Sequence, residues 1–127
     1  MHDVVAHFTD GRILKGTTAN FRPNAPEFHL RSGDAAPTVV RVGDLKGLFF
    51  VHDLDGDPTE RHRDDADRSG LGRKVEVVFA DGEVMAGYTT GYAPGRPAFW
   101  VTPADPNSNN DRVFVVTAAT ESVAFVD

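Results

Sequence analysis

The sequence predicts an all-β fold built from two tandem five-stranded units, and three observations carry that expectation. The block Val4 to Leu30 returns as Val75 to Val101, 71 positions later and without a gap, with nine of its twenty-seven positions identical. A repeat this long implies two copies of one structural unit, related by internal duplication. Each copy opens on period-two alternation that runs into Asp-Gly, a strand followed by a hairpin turn. Each then places a glycine at the same point of its second strand, Gly16 and Gly87. A mid-strand glycine marks a bend, a bulge or a close backbone approach, and a long strand bent at its centre belongs to two faces of a small barrel.

The elements follow in order. Val4, Ala6 and Phe8 alternate with Val5, His7 and Thr9, and Val75, Val77 and Phe79 repeat the pattern. Asp10-Gly11 and Asp81-Gly82 are expected to form type I′ turns. The second strands are expected over Arg12 to Phe21 and Glu83 to Tyr92. An aromatic and a Pro-x-x-Pro then close each strand: Phe21 before Pro23 and Pro26, Tyr92 before Pro94 and Pro97. Prolines at that spacing end strand pairing and stiffen a loop. Third strands are expected at Glu27 to Arg31 and Ala98 to Thr102, with Phe28, Leu30, Phe99 and Val101 facing inward. Fourth strands fall at Val39 to Val42 and Val113 to Val116, one-turn connectors follow, and closing strands end at Val51 and Val126. Val113 to Val116 is apolar on both faces, which calls for cover on both sides.

Composition narrows the possibilities. With 127 residues, the copies are expected to pack together or to pair with other chains, because a piece of about fifty residues buries too little surface to be stable alone. The chain has no cysteine, which excludes disulfides and thiolate metal sites and suits a cytoplasmic protein. It also lacks an apolar run near the ~20 residues of a membrane span and a secretory start, so no membrane partner is expected. The net charge of −6 gives no general attraction to phosphate backbones.

Strand, Asp-Gly turn, bent strand with a central glycine, then an aromatic: in order and spacing this resembles the first motif of the Sm-like family, which includes bacterial Hfq. Arg112 to Val126 is similar to the closing strand, turn and strand of Hfq. The resemblance covers both copies and implies two tandem Sm-like small barrels. The tandem and its Phe-x-Pro-x-x-Pro-x-Phe signature (Phe21, Pro23, Pro26, Phe28) also resemble an uncharacterised bacterial domain family found beside signalling modules, which carries no established activity. The chain departs from the Sm-like pattern where RNA is bound. Arg22 and Ala93 stand where an acidic residue is expected, Asn24 is matched by Gly95, and Thr117 and Ala118 replace the Lys-His pair of Hfq. The likeness therefore implies a barrel without carrying RNA binding over residue by residue.

The expected organisation is a first unit over 1–52, an acidic linker over 53–72 and a second unit over 73–127. Asp53 to Asp64 resembles a calcium loop, but Pro58 stands where the glycine is required and Arg61 at the ninth position, so a solvated linker is expected. His52 and His62 are a lone pair in an acidic segment, and no metal is expected. Asp67, Ser69 and Gly72 match half of the PilZ cyclic-di-GMP signature, but the paired arginines that anchor the phosphates are missing. No serine stands in a nucleophile context, and His7 and His29 are replaced by Val78 and Trp100 in the second copy, so neither catalysis nor a cofactor is expected. Binding remains. The proline loops carry Phe21, Arg22, Asn24, Tyr92 and Arg96, aromatic and arginine chemistry that suits protein interfaces and also single-stranded nucleic acid. The expectation is a non-catalytic scaffolding module of bacterial regulation. It would contact a protein partner, or itself, through strand edges. RNA binding by the loop face is the alternative, which a basic face of Arg12, Lys15, Arg22 and Arg96 would favour.

Overall fold

The computed structural model describes residues 1–54, 72–93, 95–105 and 108–126. Most of the expected linker, with its calcium-like loop, His62, Asp67 and Ser69, lies outside the described residues, as does Pro94. The first half runs β1 (His2–Phe8), β2 (Ile13–Thr18), β3 (Glu27–Leu30), β4 (Thr38–Arg41), a 3-10 turn (Val42–Asp44) and β5 (Leu45–Val51). The second runs β6 (Arg73–Phe79), β7 (Val84–Thr89), β8 (Ala98–Pro103), β9 (Asn110–Val116), a 3-10 turn (Thr117–Ala119) and β10 (Thr120–Phe125). The all-β class and the five strands per half agree with the expectation.

The repeat in the sequence is also a repeat of pairing. β1 meets β2 with Val4 opposite Gly16 and Ala6 opposite Leu14, and β6 meets β7 with Val75 opposite Gly87 and Val77 opposite Met85. β5 returns beside β1 with Phe50 opposite Val4, and β10 beside β6 with Phe125 opposite Val75. The bulge in each of these last two pairs falls at the matching place, after His7 and after Thr120.

The halves are not two closed barrels. Eight strands form one sheet in the order β10-β6-β7-β8-β9-β5-β1-β2, and β3 and β4 form a second. Thr17 and Arg31 exchange two backbone hydrogen bonds of 2.9 Å, which tie β2 to the start of that second sheet. The junction between the halves is β5 beside β9, with Gly47 opposite Val115 and Phe49 opposite Val113. No local signal announces this pair, but Leu48–Val51 of β5 and Val113–Val116 of β9 are apolar on both faces, as strands covered on both sides must be. All seven residues of β5 are buried.

Alternation along the junction strands feeds two cores. Leu48, Phe50, Phe114 and Val116 join Val4, Phe28 and Leu30 in one core, and Phe49, Val51, Val113 and Val115 join Val5, Val75, Val77 and Phe79 in the other. Each core thus draws side chains from both halves. Phe28, Leu30, Phe99 and Val101 are buried as expected.

Two local expectations resolve differently. Gly11 and Gly82 have φ of 93° and 96°, but neither Asp10 nor Asp81 has positive φ, so the turns are not type I′. Phe8 accepts from Gly11 N at 3.1 Å and donates to Arg12 O at 2.9 Å, which makes a three-residue loop with glycine in the left-handed position. The Asp10 carboxylate accepts from Arg12 N at 3.0 Å and replaces the tighter turn. The second strands are shorter than expected and end at Thr18 and Thr89. Their glycines are close-approach sites: a Cβ on Gly16 would lie 2.2 Å from Arg31 O, and one on Gly87 2.5 Å from Thr102 O.

Candidate functional site

The five sequence-predicted residues divide into two inward-facing aromatics and three exposed polar side chains. Phe21 packs edge-on against Phe28, Phe50, Trp100 and Phe114, at ring distances of 5.2, 5.7, 6.0 and 5.1 Å. Two of those partners belong to the second half, so the first proline loop closes over the shared core. Tyr92 is its counterpart on the other core, 4.8 Å from Phe99 and 6.0 Å from Phe125. The loops turn tightly, with Ala25 N donating to Arg22 O and Arg96 N to Ala93 O, both at 3.1 Å. Arg22, Asn24 and Arg96 are left in solvent. The structure does not bring the five together, because Phe21 and Tyr92 serve cores on opposite faces of the junction strands.

A polar cluster across the halves went unnoticed in the sequence. Lys46, the one charged residue of β5, is buried and reaches Asp81 Oδ2 at 2.8 Å and the carboxylate of Glu83, with its ammonium 4.6 Å above the Phe79 ring. Burial alone would lower the Lys46 pKa; the hydrogen bonds that its ammonium donates to Asp81 and Glu83 outweigh it and raise the pKa above its ordinary value. Asp81 is held below the usual carboxylate range by Lys46 and by the Glu83 amide. A lysine inside an otherwise apolar strand was the available signal, but its partners lie thirty-five and thirty-seven residues away.

Beside this cluster a trough opens, lined by His7, Lys15, Phe49, Glu83 and Asn110 among others. The His7 ring sits 4.4 Å from that of Phe49, and burial, then the nearby Lys46 charge, lower its pKa. His7 therefore stays neutral at pH 7. Ser32 Oγ donates to Lys15 O at 2.6 Å, and Ser108 Oγ accepts from Asn110 N at 3.1 Å. His52 pairs with Asp111 at 2.8 Å. Among the described residues no group of three or more His, Cys, Asp or Glu could hold a metal ion.

Of the four basic residues whose common face would favour RNA, Arg12 and Lys15 stand beside acids. Arg12 is bonded to Asp10 at 2.8 Å, and Lys15 lines the trough that Glu83 also lines. No helix among the described residues is long and apolar enough to cross a membrane.

Among the described residues β10 is an open edge of the eight-stranded sheet and β4 an open edge of the two-stranded one. Among the described residues β4 pairs only with β3, and β10 only with β6. Val39 on β4 is 50% exposed, and Phe125 and Val126 at the β10 edge are 38% and 49% exposed. Their counterparts at the β5·β9 junction, Phe114, Phe50 and Val51, are 3%, 4% and 8% exposed.

These features define an all-β chain of two halves with matching strand pairs, joined through β5 and β9, in which β4 and β10 are open edges among the described residues. The chain belongs to a family of unknown function, DUF6982, whose model matches residues 1–127. No curated protein and no solved structure matches it.

Proposed function

We propose that the chain is a non-catalytic binding and scaffolding module of bacterial regulation that acts through protein–protein contacts at its outer strand edges. The observation that carries this reading is the pair of open edges, where side chains of the kind buried at the junction between the halves stand in solvent. An unpaired strand offers backbone donors and acceptors to an added strand, and exposed apolar side chains beside it provide the contact area. The five strands per half, with a one-turn connector before the fifth, support reading each half as an opened Sm-like unit and not as a sealed barrel.

The alternative, an RNA-binding Sm-like protein, draws on the exposed Arg22 and Arg96 of the proline loops. It is the weaker reading, because Phe21 and Tyr92, the rings that would stack on bases, are packed inward and the net charge is −6.

Affinity capture from native lysate, with and without nuclease, tests the choice. The protein reading predicts nuclease-resistant partners that are lost with Val39→Lys while the melting temperature holds. Partners that vanish with nuclease, together with oligonucleotide binding that weakens as salt rises, would overturn it in favour of RNA.

A further inference from the structure

The junction between the halves specifies what fits the open edges. The two halves correspond position by position: residues of β1 to β3 map 71 positions on, and those of β4 and β5 map 75 positions on. The shared bonds fix this mapping, since Val42 N donates to Pro26 O and Thr117 N to Pro97 O, both at 2.9 Å. The pairing of β3 with β4, Phe28 opposite Val40, also recurs as Phe99 opposite Val115. Within the chain, the last strand of the first half pairs with the fourth strand of the second. The same relation, taken once more, offers the last strand of the second half to a fourth strand that only another copy can supply.

Resting on the reading of the edges as contact surfaces, we propose that β10 of one copy pairs with β4 of the next, head to tail, in the register that β5 and β9 already use. The junction sets Gly47, Leu48 and Phe49 opposite Val115, Phe114 and Val113. Their counterparts set Ser122, Val123 and Ala124 opposite Val40, Val39 and Thr38 of the neighbouring copy. Just beyond the end of this register Glu121 of one copy comes near Arg41 of the next, and neighbouring opposite charges attract. The side-chain contacts at the junction translate in the same way. Lys46 bonds to Asp81 and Glu83. The counterpart of Lys46 is Glu121, and the counterparts of Asp81 and Glu83 are Asp10 and Arg12. Arg12 and Glu121 reverse the signs of Glu83 and Lys46 and keep that attraction, while Asp10, itself bonded to Arg12 at 2.8 Å, keeps the sign of Asp81 and opposes Glu121. Phe125, the counterpart of Phe50, gains the cover that Phe114 gives Phe50, supplied here by Val39. Pro37, which stands in place of Arg112, has no N–H and limits the new ladder to a few residues. The association is therefore reversible and depends on concentration. Because the contact joins two different surfaces, it builds a ring where the rotation closes and a filament where it does not.

The full-length chain tests this by light scattering after size exclusion, over a hundredfold range of concentration. The wild type is expected to exceed its 13.8 kDa monomer mass as concentration rises. Val39→Lys blocks β4 and Glu121→Arg blocks β10; each alone is expected to weaken association at least about tenfold with the melt unchanged. Mixed in equal amounts, the two variants should form a species of twice the monomer mass and stop there, since each keeps one complementary edge. Adding Arg41→Glu to Glu121→Arg should restore assembly. A wild type that stays monomeric, single variants that assemble like the wild type, or a mixture that stays monomeric overturns head-to-tail pairing. If lysate capture still depends on Val39 in that case, the reading of the edges as protein contacts survives. If capture ignores the edges as well, both fail.

Discussion

At the scale of single residues, Phe21 sits half-buried among rings of both halves. Phe21 touches four rings, two from each half, and Phe→Ala at a packed site costs about 3 kcal/mol. Phe21→Ala is therefore expected to lower the melting temperature sharply, while captured proteins persist below the new melt. Loss of partners with an unchanged melt would return Phe21 to the binding surface. In the sequence, an aromatic before a proline loop reads the same whether it faces inward or outward. His7 makes a second prediction. Its pKa lies below the ordinary 6.5, first because of burial and then because of Lys46, while Glu83 and Asp81 oppose the shift and Lys15 adds to it. As pH falls through 6.5 the unfolded chain takes up a proton that the folded chain refuses, so stability drops on the acid side. His7→Val, which installs the residue found at Val78, should raise the melting temperature more at pH 5 than at pH 8. An equal shift at both values would show that His7 does not titrate as described.

At the scale of elements, the hairpins and the junction behave differently from what short motifs suggest. Asp-Gly correctly located both turns, but the dipeptide alone does not fix loop length. The Asp10 and Asp81 side chains each accept from the backbone two residues on, which favours the three-residue form. The glycines after these turns are steric requirements. Gly16→Ala drives a methyl group into the Arg31 carbonyl, and Gly87→Ala into that of Thr102, so each should cost about 1–3 kcal/mol or more in denaturant melts. Either substitution tolerated without loss would mean that the strands do not approach as closely as stated. Across the junction, Lys46 has a raised pKa and Asp81 a lowered one. Their contribution is lost as pH rises through the folded pKa of Lys46, above its ordinary 10.5. It is also lost as pH falls through the folded pKa of Asp81, below 3.8, and it is present in full between those ordinary values. Lys46→Met keeps the stem over Phe79 and should change stability by less than about 1 kcal/mol near neutrality. Lys46→Glu sets a third acid beside Asp81 and Glu83 and should destabilise by several times that amount. Comparable melts for the two variants would remove the ion cluster from the account.

At the scale of the whole molecule, the two halves are alike in pairing but share one sheet and two mixed cores. The repeat was legible because it is local: strands, turns and mid-strand glycines recur at fixed spacing. The joining of β5 to β9 was not, because a pairing between distant strands leaves no spacing signal. Only the doubly apolar run Val113–Val116 hinted at it, by demanding cover on both faces. Fragments ending near residue 54 or beginning near residue 72 should each be unfolded by circular dichroism, since each loses core residues supplied by the other, and should regain β structure when mixed. Two fragments that fold independently would separate the halves into domains. The claim on which function depends is that the outer strands are contact surfaces, and amide hydrogen exchange at low and high protein concentration tests it most directly. The account predicts that amides of β5 and β9 are protected at both concentrations, while those of Thr38–Arg41 and Ser122–Phe125 gain protection only as concentration rises. Exchange at β4 and β10 that is the same at every concentration would contradict it.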